Sequence, residues 1–205
     1  MAQRSAPTKS NLLRLKARIK LAKEGYELLE KKREILIQEI LGSAAKLKHS
    51  MREIYASAPQ AYESYKKGVI DNGRTSVDLF LSYMDAEPEI DVEERSVMGV
   101  IVPKLNLRGV ISEIAVLDTM YSGTIDLTRK KYAELLEKLV RWAEIYITIQ
   151  RLSAELKKTQ RLVRSLENII IPQLNREIRI IEIVLEENER EEFFRRKVLK
   201  KKAGG

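Results

Sequence analysis

The sequence predicts a mainly α protein: a long antiparallel two-helix coiled coil formed by the N- and C-terminal helices, with a small β-hairpin and an irregular segment in the middle. Apolar residues recur at 3,4 spacing over long stretches near both ends of the 205-residue chain. Nine glycines, five prolines and 6% aromatic residues leave little turn material and few bulky core fillers. Long helices around a thin core fit such a composition. At ~1.5 Å per residue, Leu12 to Ala58 spans about 70 Å and Leu127 to Lys200 about 110 Å, too long for a single globular core of this mass. Two such helices joined by a compact middle lie side by side, and antiparallel pairing brings both chain ends to one tip.

The first helix is expected over residues 8–84, with Thr8 or Ser10 as its cap and Pro7 just upstream. Its seam reads Leu12, Leu15, Ile19, Ala22, Tyr26, Leu29, Arg33, Leu36, Ile40, Ser43, Leu47, Ser50 and Ile54, of which ten of thirteen are apolar. Arg33, Ser43 and Ser50 interrupt it, either fixing register or leaving room for another subunit, or as local plasticity. Pro59 is expected to bend or briefly interrupt the helix.

Residues 85–123 form the middle segment. "EPEIDVEERSVMGVIVPKLNL" is β-branched and alternates at Ile90 and Val92 and again at Val100 and Val102, with a polar "EERS" between; this predicts a hairpin over about 89–104. "RGVISEIAVLDTMYSGT", with Gly109 and Gly123, reads as a linker.

The second helix, 124–202, is capped by Thr124 or Asp126, and its seam is read as Leu135, Leu139, Trp142, Tyr146, Ile149, Ser153, Leu156, Gln160 and Val163. Glu134 with Lys138 and Glu137 with Arg141 have the spacing of helical ion pairs. Then Leu166, Ile170, Leu174 and Ile178 follow in steps of four before Ile181 and Leu185, which locally loosens a left-handed supercoil. Pro172 falls inside that stretch. It removes a backbone donor and crowds the carbonyl of Asn168, so a bend is expected near 172. Residues 203–205 are read as a frayed tail.

Cysteine is absent, which excludes disulfides, thiolate zinc sites and a cysteine nucleophile. The single histidine, His49, lies in a helical run and reads as a helix-face residue. No GxxxxGK, HExxH or GxSxG motif is present, and the acidic run Glu186, Glu187, Glu189, Glu191 and Glu192 spreads over several helix faces among arginines. No catalytic, cofactor-binding or metal site is expected. No apolar run is long enough to span a bilayer, and the first residues lack the apolar centre of a secretory signal. A net charge of +8 makes nucleic acid, an anionic membrane face or an acidic protein surface plausible partners. Arg14, Lys16, Arg18, Lys20 and Lys23 share the tip with Arg195, Arg196, Lys197, Lys200, Lys201 and Lys202. Few aromatic residues stand among them to stack on bases.

Three stretches tie these features together: Pro7 to Ile37, Ser96 to Leu105 ("SVMGVIVPKL"), and Leu166 to Lys202 with its Ile-Pro-Gln-Leu and Leu-Glu-Glu-Asn-Glu-Arg segments. The chain resembles, nearly end to end, the D subunits of the archaeal and vacuolar-type (A-type/V-type) rotary ATP synthases, which form the central-stalk axle. The resemblance implies a non-catalytic rotor component without cofactors. It would transmit torque between the catalytic head and proton or sodium translocation in the membrane ring. The implied partners are the catalytic and non-catalytic head subunits (A and B), the small F protein of the stalk, and the funnel-shaped C/d protein on the ring. Membrane association would be indirect, at the cytoplasmic face, with no direct nucleic-acid contact. In that setting Arg14, Arg18, Arg190, Arg195, Arg196 and Lys197 are candidates for contacting the head, and Pro172 marks a bend in the axle. The alternatives are a non-rotary coiled-coil scaffold or a flagellar-export-type stalk protein, from which the inserted hairpin would distinguish it.

Overall fold

The structure, a computed structural model, describes residues 6–82, 88–109 and 123–203. Helix α1 (Lys9–Asn72) is followed by the short α2 (Arg74–Ser82), strands β1 (Glu89–Val97) and β2 (Val100–Arg108), and α3 (Gly123–Ser165). A π-helical turn (Leu166–Ile170) then leads without a break into α4 (Ile171–Ala203). The chain divides into two compact units, one made of Met1–Ile35 and Lys157–Gly205, the other of Leu36–Leu156.

In the first unit α1 starts as its sequence suggests. Thr8 is the cap, its hydroxyl accepting from the amide of Asn11 at 3.3 Å. Leu15, Leu174, Ile178 and Ile181 form the core, flanked by Leu12, Ile19, Ala22 and Leu185. Ion pairs set the direction: Lys9 reaches Glu189 at 2.7 Å and Lys16 reaches Glu182 at 2.6 Å. Seven residues forward on α1 correspond to seven backward on α4, so the two helices are antiparallel.

The second unit repeats this arrangement with smaller side chains. Lys138 on α3 donates to Ser57 Oγ at 2.9 Å, and Asn72 donates to Thr124 Oγ1 at 3.2 Å. Ala61, Ser64 and Gly68 line the buried side of α1. At Gly68 the backbone comes so close to the start of α3 that an added Cβ would stand 3.5 Å from Thr128 Oγ1 and 4.0 Å from Ile125 Cγ1. Gly73, with φ +78°, ends α1 and starts α2.

The hairpin also belongs to this unit. Its two-residue turn, Met98 and Gly99, has φ +53° and +77°, the positive pair a type I′ turn needs. The register pairs Glu89 with Arg108 through to Val97 with Val100. Two side chains of α3 cover the outer edge of β2: Glu144 accepts from the Leu105 amide at 3.1 Å, and Arg151 donates to the Ile101 carbonyl at 2.8 Å. Residues 101, 103 and 105 therefore direct their backbone groups away from β1, and Pro103 stands where no ladder amide is required. Val102 is fully buried, and Lys104 with Glu93 and Arg108 with Asp91 bridge the strands.

Several expectations change. All thirteen seam positions read in α1 are buried or half-buried. In α3 the buried positions are Ile125, Ala133, Val140, Thr148, Leu152, Thr159 and Val163, of which Val163 alone belongs to the expected seam. The expected Leu139, Ile149, Ser153 and Gln160 stand one residue aside. Small residues allow two backbones to approach, whereas bulky Leu139 and Tyr146 flank the seam half-exposed. The chain stays helical through Pro59, and the break falls at Gly73. The hairpin turns at Met98-Gly99, and "EERS" lies within β1 as part of an exposed strand. Lys138 reaches across to Ser57 rather than back to Glu134. Most of the expected linker, residues 110–122, and the last tail residues lie outside the described residues.

Candidate functional site

The end of the first unit has a local sequence logic of its own. After Leu185 the apolar spacing that fed the core stops, and residues 186–200 are exposed on every face of α4. Lys9, in the first turn of α1, is already opposite Glu189. The residues that follow run past the described part of their neighbour, yet they include Phe193, Phe194, Val198 and Leu199, exposed by 66, 65, 54 and 66%. A shallow, open groove is lined by Glu186, Glu189, Arg190, Phe193 and Phe194.

The six basic candidates fall into two groups. With Lys9 opposite Glu189, Arg14 and Arg18 lie about one and a half to two and a half turns farther from that end along α1, while Arg195, Arg196 and Lys197 lie about two turns onward along α4. The axial separation between members of the two groups is roughly 16–26 Å. Arg190 sits between them. Arg14 donates to Asn11 Oδ1 at 3.0 Å, and Arg195 and Arg196 bond Glu191 and Glu192 one turn back, at 3.3 and 3.1 Å. These exposed pairs cost little to exchange for others.

The pair joining the helices here, Lys9 with Glu189, was not among the candidates. Its mutual hydrogen bond and charge attraction raise the Lys9 ammonium and lower the Glu189 carboxyl from their ordinary values. Lys9 precedes the apolar seam and Glu189 sits in an acidic run. Only the antiparallel register reveals their partnership.

Among the described residues no group of three or more His, Asp or Glu side chains is placed to hold a metal ion, and no helix is long and apolar enough to cross a membrane. His49 is exposed, 4.0 Å from Glu53 on the same helix face. The arrangement offers a surface for association, apolar at Phe193 and Phe194 and charged around them.

Comparison with known proteins gives that surface a context. Residues 11–201 match the family model of the ATP synthase D subunits. The chain is 37% identical over 197 residues to the V-type ATP synthase D protein of Thermotoga neapolitana, covering 96% of this chain and 97% of the relative. It is 35% identical over 197 residues to the A-type ATP synthase D protein of Pyrococcus horikoshii, covering 95% and 92%. To the A-type counterpart from Methanosarcina acetivorans it is 36% identical over 204 residues, covering 98% of each.

Proposed function

Because the chain belongs to the family of ATP synthase D subunits, we propose that it is the rotor axle of its A/V-type complex, carrying torque between the catalytic head and an ion-translocating membrane ring. It performs no ATP chemistry itself. Its end at residues 186–200 enters the head formed by the A and B subunits; the small F protein binds farther along, and the funnel-shaped C/d protein receives the opposite end. The complex places it at the cytoplasmic face of the membrane as a peripheral component, moving protons or sodium ions.

The single observation that best supports this reading is the all-round exposure of residues 186–200 with two phenylalanines among them. Removing two largely exposed phenylalanines from water is worth about 1–2 kcal/mol each. A surrounding collar gains from covering them, whereas a two-helix scaffold complete in itself has no use for them. Around them Arg14, Arg18, Arg190, Arg195, Arg196 and Lys197 supply screened contacts that can be exchanged as the shaft turns. With a bend at Pro172, an eccentric shaft meets successive head interfaces unequally. It thereby biases equivalent nucleotide sites toward different conformations.

The test is reconstitution with the head and the small F protein of its own source, following co-elution and ATP hydrolysis. One chain per head with altered turnover is expected, and F193A/F194A should weaken the complex by about tenfold or more. Charge reversal at Arg195, Arg196 and Lys197 should change coupled hydrolysis and its salt dependence. A folded chain that never joins a competent head would return it to the scaffold class.

A further inference from the structure

The π turn, Leu166–Ile170, interrupts the long helix at a place of unusual composition. The amide of Ile171 donates to the carbonyl of Leu166, five residues back, and the next residue, Pro172, has no amide hydrogen to give. Two consecutive steps of the ladder thus depart from the α pattern. The wider turn also accommodates the proline, whose ring would crowd the Asn168 carbonyl in a regular α-helix.

Packing is thin at the same level. No residue between Val163 and Leu174 is buried, and on α1 none is buried between Leu15 and Leu36. The seam there is occupied in part by Tyr26 and Arg33. Arg33 bonds Glu30 at 2.7 Å, and its Nε is buried without a hydrogen-bond partner. Burial, then the carboxylates of Glu167 and Glu30, push the Tyr26 phenol up, which places Glu167 of the π turn within electrostatic reach of this group. Apolar Ile169 and Ile170 face outward instead.

A π turn is one residue inserted into an α-helix, and the insertion can move along the helix by shifting hydrogen bonds one position. Strong anchoring on both sides would freeze the insertion. Here the anchors, Val163 before and Leu174 after, stand outside it, and on the facing stretch of α1 half-buried Leu29 shares the seam with the polar Tyr26 and Arg33.

We propose that the π turn with Pro172, set against Tyr26, Glu30 and Arg33, is a register joint. At this joint the inserted residue moves between adjacent hydrogen-bonding positions inside residues 164–173, letting α4 flex relative to α3 while Val163 and Leu174 keep their faces. This rests on the axle reading for its use, as the place where torsion is taken up, but not for its existence. In the free chain the joint is a local property and is measured as one.

The experiment is hydrogen exchange on the full-length chain, comparing residues 166–174 with the adjoining residues 152–163. The joint should exchange about tenfold or more faster. Deleting Ile169 removes the inserted residue and leaves the faces of both flanks in phase, so exchange there should slow toward that of the flank. Pro172→Ala restores one amide and should slow it part of the way. Equal exchange in the two segments of the native chain, or no slowing in either variant, would overturn the joint. In the reconstituted complex, the deletion should narrow the angular fluctuations of the stalk. A stoichiometric, active complex with unchanged fluctuations sinks the joint and keeps the axle; a chain with the expected exchange pattern that never joins the head sinks the axle and keeps the joint.

Discussion

Gly68 offers a prediction whose sign the geometry decides. Glycine inside a helix costs roughly 0.5–1 kcal/mol relative to alanine, because the unfolded chain has more freedom to lose. The residue is buried where α1 meets the start of α3, so the question is whether one methyl group fits. An added Cβ meets Thr128 Oγ1 at 3.5 Å and both Ile125 Cγ1 and the Thr124 carbonyl oxygen at 4.0 Å, ordinary contact distances. Gly68→Ala should therefore stabilise the chain by about 0.5–1 kcal/mol. Gly68→Leu has no room for its further atoms and should destabilise it by about 1–3 kcal/mol. Thermal and urea unfolding of the full-length protein, followed by helical circular dichroism, would separate the two. If alanine destabilises as leucine does, the approach is closer than these distances allow and the argument fails.

Other outcomes follow from the same structure. Leu15→Ala, at a position 1% exposed, should cost about 2–4 kcal/mol, whereas Leu13→Ala, at 69%, should change stability by less than about 0.5 kcal/mol; equal costs in urea unfolding would count against the described seam. Met98→Asn suits the positive φ of the first turn position and should make the hairpin amides exchange more slowly, since a non-glycine residue there is disfavoured unless it is Asn or Asp. The Lys9–Glu189 contact has a window set by both directions of shift. Glu189's contribution is present above its ordinary carboxylate value and lost as pH falls through the lowered one; Lys9's is present below the ordinary ammonium value and lost as pH rises through the raised one. Titration of both side chains by NMR, repeated with Glu189→Gln, should abolish the Lys9 shift.

The sequence made α1 easy to read because its apolar residues and its geometry agree: positions from Leu12 to Ile54 point inward wherever the 3,4 rule puts them. The same rule slipped by one residue in α3. There small or hydroxylated Ala133, Thr148 and Thr159 are buried beside Val140 and Leu152, and a hydropathy pattern undervalues the first three. Steps of four from Leu166 to Ile178 signalled an irregularity, and the structure resolves it as one inserted residue before Pro172. The hairpin was legible from its β-branched residues. Its turn was not, because Met98 carries no sign of the positive φ it adopts and the polar "EERS" imitates a loop. At the unit's end the basic residues were visible as such. Their division into two groups, and the partnership of Lys9 with Glu189, depend on helix register and could only emerge once the two helices were aligned.

Among the described residues, the hairpin has one covered edge and one that is not. Glu144 and Arg151 occupy the outer groups of β2, while the matching groups of β1, at Ile90, Val92, Glu94 and Ser96, have no partner strand among the described residues. An open strand flanked by exposed Ile90 and Val92 is an invitation to a second copy. Glu89, Asp91, Glu93 and Glu94 also lie along it, with Arg95 as its one cation, and among the described residues the salt bridges from β2 reach Asp91 and Glu93. When two such strands approach, Glu89 and Glu94 of each bring unmatched like charge to the edge. Two copies pairing along this edge would therefore set like charges side by side, a cost that opposes strand-to-strand association.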